Sequence, residues 1–249
     1  MNDERLSGVS VVLPAHNEAG NIEVVVQRCL EVLPSLAERY EIIVVDDGSR
    51  DATGSIADRL GADDSHVRPI HHDRNLGYGC AWRTGIAAAS LDWIFFMDSD
   101  RQFDIGELGK LTALSASHDI VTGYRIRRRD PYYRFLVGSC FNILVTVLFD
   151  VHLRDIDCGF KMFRACLLKP MELESPGALI NTEIHAKANR VGARLVEVGI
   201  NHYPRPVGRQ SGTKFRVMAS AMAEIVKLRW RLRRYSPASI REAMAQAGR

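Results

Sequence analysis

The sequence of 249 residues predicts an α/β protein with a mostly parallel central sheet flanked by helices. Two observations predict this class. Short apolar runs alternate with amphipathic stretches through the first half of the chain, which is the pattern of βαβ units. One run, Glu41–Asp46, is almost continuously β-branched, as expected of a strand that helices cover on both faces. The length allows a single domain over residues 1–249, because a chain of this size buries a substantial core.

Each element of the first half follows from a local pattern. Apolar residues recur at three- and four-residue spacing over Asn21–Leu33, which predicts a helix that ends at Pro34. Asp51 is expected to cap the next helix, which runs to about Leu60. The other predicted elements of this half are strands at 10–14, 67–71, 92–97 and 119–123, and a small-residue helix at 77–89.

The alternation weakens beyond residue 125, although no linker separates the two halves. We therefore divide the domain into a first half at about 8–125 and a second half at about 126–234, and expect amphipathic helices in the second. Its predicted elements are a long apolar helix at 131–149, a strand near 159–163, a helix near 178–191, a strand near 194–203 and helices after Gly212.

Composition and charge exclude several classes of protein. The formal net charge of +3 is too small to predict nucleic-acid binding, so we expect no nucleic-acid partner. The five cysteines form no Cys-x-x-Cys pair, and their odd number favours a reducing compartment such as the cytoplasm. The longest uncharged stretch, Phe135–Phe149, is shorter than the roughly 20 apolar residues of a spanning helix, and the polar N-terminus is unlike a signal peptide.

Three predicted strands end in acidic or polar clusters, which are Pro14–Glu18, Asp46–Ser49 and Asp98–Gln102. Ligand sites form where the carboxyl ends of parallel strands meet. In an extended chain, residues at i, i+2 and i+4 point to one side, so Asp98, Asp100 and Gln102 are expected to line one pocket. Their hard oxygen atoms suit Mg²⁺ or Mn²⁺, and a diphosphate would complete the coordination shell.

Each cluster also has a simpler explanation. Asp-x-Asp is common by chance and can cap a helix or face water, Asp46–Ser49 can be a turn, and Asn17 with Glu18 can begin a helix. The presence of such a cluster at the ends of three strands favours a metal site over these simpler explanations. The glycines of Asn75–Gly79 have neither dinucleotide-binding nor P-loop spacing, and no zinc motif or Gly-x-Ser-x-Gly elbow is present.

Four motifs follow one another along the chain, namely Val12–Glu18, Val44–Ser49, Asn75–Gly77 and Asp98–Gln102. Their order and spacing resemble those of family 2 glycosyltransferases with the GT-A fold. Within that family, Arg101-Gln102, Gly123–Arg125 and Asp157–Lys161 are most similar to the dolichol-phosphate mannose synthases and polyprenyl-phosphate glycosyltransferases. The resemblance implies inverting transfer of a hexose, from GDP-mannose or a UDP-hexose, to a dolichyl or undecaprenyl phosphate.

The resemblance also implies roles for individual residues. The first half would bind the nucleotide sugar and the second half the acceptor. Asp100 and Gln102 would hold Mg²⁺ or Mn²⁺, and Arg125 would neutralise phosphate, so that Asp100 and Arg125 are the expected catalytic residues. Arg205, or Arg209 in its place, would close over the donor together with Lys214. The implied donor contacts are Pro14, Ala15, Glu18, Val44, Asp46, Asp98, Ser99, Arg205 and Lys214.

The sequence leaves alternatives for the type of acceptor and for the role of the apolar segment in membrane association. A lipid phosphate is already anionic and needs no general base, whereas a hydroxyl acceptor would need one, with Glu183 and Asp157 as candidates. A nucleotide-sugar-binding homologue without turnover is the non-enzymatic alternative. Arg127–Arg129 precede the apolar segment 131–149, and Trp230 lies among basic residues, so we expect peripheral association with the cytoplasmic face of a membrane. A core helix is the alternative for 131–149.

Overall fold

The computed structural model describes residues 5–126, 143–207 and 215–247, with 215–223 described by their backbone alone. Seven strands form one sheet in the order β3-β2-β1-β4-β6-β5-β7. Of these strands β6 alone runs antiparallel to its neighbours, which confirms the mostly parallel sheet. The strands are β1 (Val9–Ala15), β2 (Tyr40–Asp46), β3 (Val67–His71), β4 (Trp93–Met97), β5 (Ile120–Arg125), β6 (Phe160–Arg164) and β7 (Leu195–Ile200).

Helices cover both faces of this sheet, as the β-branched second strand predicts. A 3₁₀ turn at Ile105–Glu107 precedes the fourth helix. The α-helices are α1 (Ile22–Leu36), α2 (Thr53–Asp63), α3 (Tyr78–Ala88), α4 (Leu108–Thr112), α5 (helical residues 143–149), α6 (Ala165–Leu168), α7 (Ile180–Val191), α8 (Phe215–Arg234) and α9 (Ala238–Gln246).

Alternate residues of each central strand face opposite layers of core. Val11 and Leu13 of β1 pack in the layer that contains α1, whereas Val12 packs in the layer that contains α3. The small-residue helix α3 lies close to the sheet, because a Cβ atom on Gly85 would lie 2.2 Å from Val12. On the same face, the ring of Trp82 stacks on Phe96 with centroids 3.7 Å apart.

Most of the predicted elements agree with the structure, but the predicted end of the first helix is wrong. Helix α1 continues through Pro34 to Leu36. Proline removes the hydrogen bond that its own N–H would donate to the carbonyl of Leu30. Pro34 is exposed and only two helical residues follow it, so the helix loses a single hydrogen bond close to its end.

A third apolar cluster joins helices of the second half of the chain. Val145 and Phe149 of α5 pack with Ile225, Leu228 and Leu232 of α8. Of the predicted helix at 131–149, residues 143–149 are helical and the rest lie outside the described residues. In the part of the chain that the structure describes, no helix is both long and apolar enough to cross a bilayer.

Candidate active site

One edge of the sheet gathers the chain segments that carry the predicted site. The parallel strands β1, β2, β4 and β5 end there, and the antiparallel strand β6 begins there. Ala15 is opposite Asp46 in the register, and Met97 is opposite Phe160. Because β2 and β4 lie on either side of β1, this edge includes the point where the strand order reverses, which is where open α/β sheets bind ligands.

The Asp98–Gln102 segment is a turn, which corrects the extended conformation that we predict from the sequence. Strand β4 ends at Met97, and Arg101 has the left-handed φ of 60°. The turn is closed by the backbone N–H of Gln102, which donates to Asp100 Oδ1 at 3.1 Å. Non-glycine residues in this conformation are uncommon and are concentrated at functional sites.

Asp98 is held at the base of this turn. The hydroxyl group of Tyr78, at the start of α3, donates to Asp98 Oδ1 at 2.8 Å. On the other side, a Cβ atom on Gly159 would lie 2.0 Å from Asp98 Oδ2, so any larger residue before β6 would displace the Asp98 carboxylate. Burial, followed by the charge of Asp100, raises the pKa of Asp98 to about 7, although the hydrogen bond from Tyr78 opposes the rise.

Asp100 and Glu18 complete an acidic cluster with Asp98. Burial raises the pKa of Asp100, and the charge of Glu18 contributes, whereas the hydrogen bond from the Gln102 backbone and the charge of Arg205 oppose the rise. Glu18 also contributes to the raised pKa of Asp98. The three carboxyl groups therefore repel one another when they are ionised, and a bound divalent cation would reduce this repulsion.

The donor atoms in this cluster fit Mg²⁺ or Mn²⁺. Within residues 5–126, 143–207 and 215–247, no group of three or more His, Cys, Asp or Glu side chains is placed to hold a metal ion by itself. A complete cage is not required, since Mg²⁺ in nucleotide-dependent enzymes is commonly bound by one or two carboxylates together with substrate phosphates. Asp100 and the amide oxygen of Gln102 could supply the protein ligands. Gln102 Nε2 donates to the Tyr203 carbonyl at 3.2 Å.

The acidic end of β2 contains two aspartates with different surroundings. Asp46 accepts from the Ser49 backbone N–H at 3.0 Å and lies 3.2 Å from His71 Nδ1. Asp47 is buried and accepts from the backbone N–H groups of Leu76 and Gly77 at 2.8 and 2.9 Å. Asp47 therefore fixes the loop that leads into Tyr78.

The remaining residues that are expected to contact the donor differ in their exposure to solvent. Pro14 is partly exposed at the end of β1, and its carbonyl accepts from the Ser99 hydroxyl at 2.9 Å. Ala15 and Ser99 are buried. Val44 is fully buried in the core and paired with strands on both sides, so its side chain has no surface for a donor. Val44 therefore packs in the core, and the donor contact expected at this position stays a prediction.

Arg125, at the end of β5, forms a buried ion pair with Asp155. The Arg125 Nε and Nη2 atoms donate to the two oxygens of Asp155 at 2.6 and 2.7 Å. Burial alone would lower the pKa of the Arg125 guanidinium, but hydrogen bonds from it to Asp155 and the charge of Asp155 raise it above its ordinary value. Arg125 also lowers the pKa of Asp98, so its charge acts on the acidic cluster.

The strap, which we define as residues 201–207 after β7, lies over the acidic turn. Its Arg205 pairs with Glu18 at 2.5 Å and with Asp100 at 3.4 Å. The structure therefore places Arg205 at the acidic cluster, while Arg209 and Lys214 lie outside the described residues.

The two candidate general bases differ in accessibility. Glu183 is buried, pairs with Lys187 at 2.8 Å and accepts from the backbone N–H groups of Glu174 and Ser175. Burial alone would raise the pKa of Glu183, but Lys187 and these hydrogen bonds lower it, so Glu183 is a poor proton acceptor. Asp157 is exposed, and its charge acts on Arg125 and Tyr78 beside the acidic cluster.

Sequence reasoning missed three residues that build the site. Tyr78 positions Asp98, Asp47 fixes the loop before Tyr78, and Asp155 holds Arg125. Asp47 lies within the Val44–Ser49 motif and Tyr78 directly follows the Asn75–Gly77 motif, so the sequence pattern could have indicated both residues. The Asp155 contact joins positions 30 residues apart, and no local spacing indicates it.

An α/β sheet with an acidic turn after its fourth strand, at the point where the strand order reverses, places the protein in the GT-A class of glycosyltransferase architectures. Glucosyl-3-phosphoglycerate synthase from Mycobacterium tuberculosis, solved with Mn²⁺ and UDP-glucose, has this fold. It aligns with a TM-score of 0.67 at 22% identity, over 89% of this chain and 79% of that one. The family model of glycosyl transferase family 2 matches residues 10–170, and the chain belongs to that family.

Several relatives are named as polyprenyl-phosphate sugar transferases. The polyprenol monophosphomannose synthase of Mycolicibacterium smegmatis is 30% identical over 86% of this chain and 85% of the relative. An undecaprenyl-phosphate 4-deoxy-4-formamido-L-arabinose transferase from Proteus mirabilis is 28% identical over 82% of this chain and 63% of the relative. The glycosyltransferase AglD of Haloferax volcanii is 36% identical over 79% of this chain, which spans only 33% of AglD.

Proposed function

We propose that the protein is an inverting glycosyltransferase that moves a hexose from a nucleoside-diphosphate sugar to a polyprenyl phosphate, with Mg²⁺ or Mn²⁺. The observation that carries the proposal is the acidic cluster of Glu18, Asp98 and Asp100 at the reversal point of the sheet. Relatives that act on polyprenyl phosphates by name support the acceptor. The Mn²⁺ and UDP-glucose in a structure of the same fold support the metal and the class of donor.

The first half of the chain would bind the donor. Asp46 and the end of β1 face the edge where the nucleotide would lie, and Asp47 fixes the loop beneath it. Asp100 and Gln102 would hold the metal, which on binding would stabilise the negative charge of the departing nucleoside diphosphate. Asp98, fixed by Tyr78 and the closely packed Gly159, would set the position of the turn.

The second half would supply the acceptor side. A lipid phosphate is anionic near neutral pH, so it can attack without a general base. Arg125 lies beside the acidic cluster with its guanidinium oriented by Asp155, and it would offset the combined negative charge of the donor and acceptor phosphates. Division of the domain at about residue 125 into donor and acceptor halves is part of this proposal.

Transfer to a hydroxyl acceptor is the second candidate, and one observation favours it. The Asp157 carboxylate is exposed and close enough to Tyr78 and Arg125 to influence their pKa values. A carboxylate in that position could accept the proton of a hydroxyl group. The buried, paired Glu183 could not.

We place the protein peripherally on the cytoplasmic face of a membrane. Ile143 and Val147 of α5 are 65% and 75% exposed, and Val226 and Trp230 of α8 are 70% and 53% exposed. The Arg234 guanidinium lies 3.9 Å from the Trp230 ring centroid. Exposed apolar side chains among cations are the composition of surfaces that bind anionic bilayers.

The test is a reaction with defined components. The protein is incubated with a panel of UDP- and GDP-sugars, Mn²⁺ and a short polyprenyl phosphate, and the products are read by mass spectrometry. We expect a glycosyl-phosphate lipid, formed only with metal. A glycosylated soluble alcohol would support the hydroxyl acceptor instead, and binding of a nucleotide sugar without turnover would support a binding protein.

A further inference from the structure

Each of the three nitrogen atoms of the Arg205 guanidinium has a hydrogen-bond partner, and two of these partners are carboxylates of the acidic cluster. Its Nη2 and Nη1 atoms donate to Glu18 at 2.5 Å and Asp100 at 3.4 Å, and its Nε atom donates to the Val207 carbonyl at 2.7 Å. The side chains of Arg205, Glu18 and Asp100 are 14%, 11% and 15% exposed. These contacts are therefore partly shielded from water, and the charges interact more strongly than they would on an open surface.

The strap is attached to the site at both ends. The Tyr203 backbone N–H donates to the Gln102 carbonyl at 2.9 Å, and Gln102 Nε2 donates back to the Tyr203 carbonyl at 3.2 Å. At the other end, Asn21 Nδ2 donates to the Val207 carbonyl at 3.4 Å. A Cβ atom on Gly20 would lie 2.9 Å from the Val207 side chain, so glycine permits this close approach.

These contacts involve both residues that are proposed to bind the metal. Asp100 is paired with Arg205, and Gln102 is hydrogen bonded to the strap. A divalent cation at Asp100 would repel the guanidinium that now occupies the same carboxylate. A diphosphate would offer Arg205 a replacement, because guanidinium groups bind carboxylate and phosphate oxygens with the same forked geometry.

We propose that Arg205 acts as a stand-in cation, which pairs with Glu18 and Asp100 while the site is empty and moves to the diphosphate when metal and donor bind together. This inference rests on the proposed function, and it concerns how the metal is admitted. Metal alone must displace Arg205 without compensation, whereas metal with a nucleotide gives Arg205 a new partner. The affinities for metal and nucleotide are therefore positively coupled through this side chain.

The experiment measures Mn²⁺ binding by titration calorimetry, alone and with UDP or GDP, in the wild type and in Arg205→Ala. We expect the variant to bind Mn²⁺ alone at least about fivefold more tightly, and to bind the nucleotide with Mn²⁺ about tenfold more weakly, in the range of typical coupling between sites. The two changes have opposite signs. Loss of an ordinary donor contact would weaken nucleotide binding and leave the affinity for Mn²⁺ alone unchanged.

Two further variants control for charge and geometry. Arg205→Lys keeps the charge without the forked geometry, and it should bind Mn²⁺ alone with an affinity between those of the wild type and Arg205→Ala. Arg39→Ala removes an exposed arginine that pairs with Asp92 at the opposite edge of the sheet, and it should bind Mn²⁺ like the wild type. Thermal unfolding should show that every variant is folded.

The outcomes separate this inference from the proposed function. If the wild type binds Mn²⁺ with UDP or GDP and Arg205→Ala binds Mn²⁺ alone no more tightly, the stand-in role is wrong and the proposed function stands. If the wild type binds neither Mn²⁺ nor a nucleotide, the proposed function is wrong and the stand-in role is lost with it.

Discussion

The two sides of the candidate site hold their charged groups by different means. On the β2 side, the Asp47 carboxylate accepts hydrogen bonds from the backbone N–H groups of Leu76 and Gly77 at 2.8 and 2.9 Å. On the strap side, the Arg205 guanidinium is held by the side-chain carboxylates of Glu18 and Asp100. The Asp47 carboxylate is thus held by two backbone N–H groups in addition to His72, whereas both carboxylate partners of Arg205 are side chains.

This difference indicates which groups can change partners during a reaction cycle. A backbone N–H group cannot leave its acceptor unless the loop moves, so the β2 side is preorganised. A guanidinium can exchange a carboxylate for a phosphate of similar shape. Four predictions test the roles of groups on the strap side of the site and in the second half of the chain, beginning with the largest expected effect.

The largest effect should come from Asp100→Ala. We expect kcat/KM to fall about 10³-fold, because a bound divalent cation commonly contributes several kcal/mol to stabilisation of the transition state. The measurement is the initial rate as a function of donor concentration at a fixed Mn²⁺ concentration, from which kcat/KM is taken. Asp63→Ala is the matched control, since Asp63 is an exposed aspartate paired with Arg59 on α2. Equal activity of Asp100→Ala and Asp63→Ala would reject the metal assignment.

Asp155→Asn should have the next largest effect on turnover, about 10²-fold, because misplacement of a catalytic group by about 1 Å can have that cost. The amide can no longer hold both Nε and Nη2 of Arg125, which the carboxylate binds at 2.6 and 2.7 Å. The affinity for Mn²⁺ should remain near that of the wild type, because Asp155 acts through Arg125 and not on the metal.

Asp119→Asn is the matched control for the loss of a buried ion pair. Asp119 is also buried and pairs with Arg164 and Arg194, but at the opposite edge of the sheet. Both variants should lose stability to a similar extent, as measured by denaturant unfolding. Only Asp155→Asn should lose activity per folded molecule, and a matching loss in Asp119→Asn would show that the effect does not depend on the position of Arg125.

The same contrast explains what the sequence could predict. The acidic strand ends follow from local patterns, because parallel strands bring their carboxyl ends to one edge and the polar residues after them must meet. The ion pairs of Arg125 with Asp155 and of Arg205 with Glu18 join positions 30 and 187 residues apart. Such pairs form only when the second half of the chain packs against the first, so no local spacing in the sequence predicts them.

Two expectations at the site show what a local pattern leaves out. The extended Asp98–Gln102 segment was inferred from strand geometry, but the chain turns at once, with Arg101 in the left-handed region. The donor contact expected at Val44 came from resemblance alone, and the position of Val44 within a central strand covered on both faces buries its side chain. A motif gives the order of residues and does not state which atoms reach the surface.

Glu183→Gln should mainly affect stability. Removal of one partner from the buried Glu183 and Lys187 pair should reduce the free energy of unfolding by about 3 kcal/mol at neutral pH. The folded-state pKa of Glu183 is lowered, so its stabilising contribution is present above its unfolded value and is lost as the pH falls through the folded value. The difference between variant and wild type should therefore shrink in acid, as measured by urea unfolding at several pH values.

The same variant tests whether this buried pair takes part in chemistry. Because Glu183 is 1% exposed, we expect the pH profile of kcat in Glu183→Gln to match that of the wild type at temperatures where both are folded. Loss of the acidic limb of the pH profile would restore Glu183 as a general base. That result would give the Glu183 and Lys187 pair a role in proton transfer during the reaction.

The smallest effect should come from Val147→Ser, and it tests whether the second half carries the membrane surface. Val147 is 75% exposed on α5, and burial of a valine side chain is worth roughly 1.5 kcal/mol, so binding to vesicles should weaken about tenfold or less. Val24→Ser is the matched control, because Val24 is 45% exposed on α1 of the first half. Co-sedimentation with vesicles of anionic lipid should distinguish the two. If both variants bind like the wild type, membrane contact by α5 is excluded. If Val24→Ser weakens binding equally, the membrane surface is not confined to the second half of the chain.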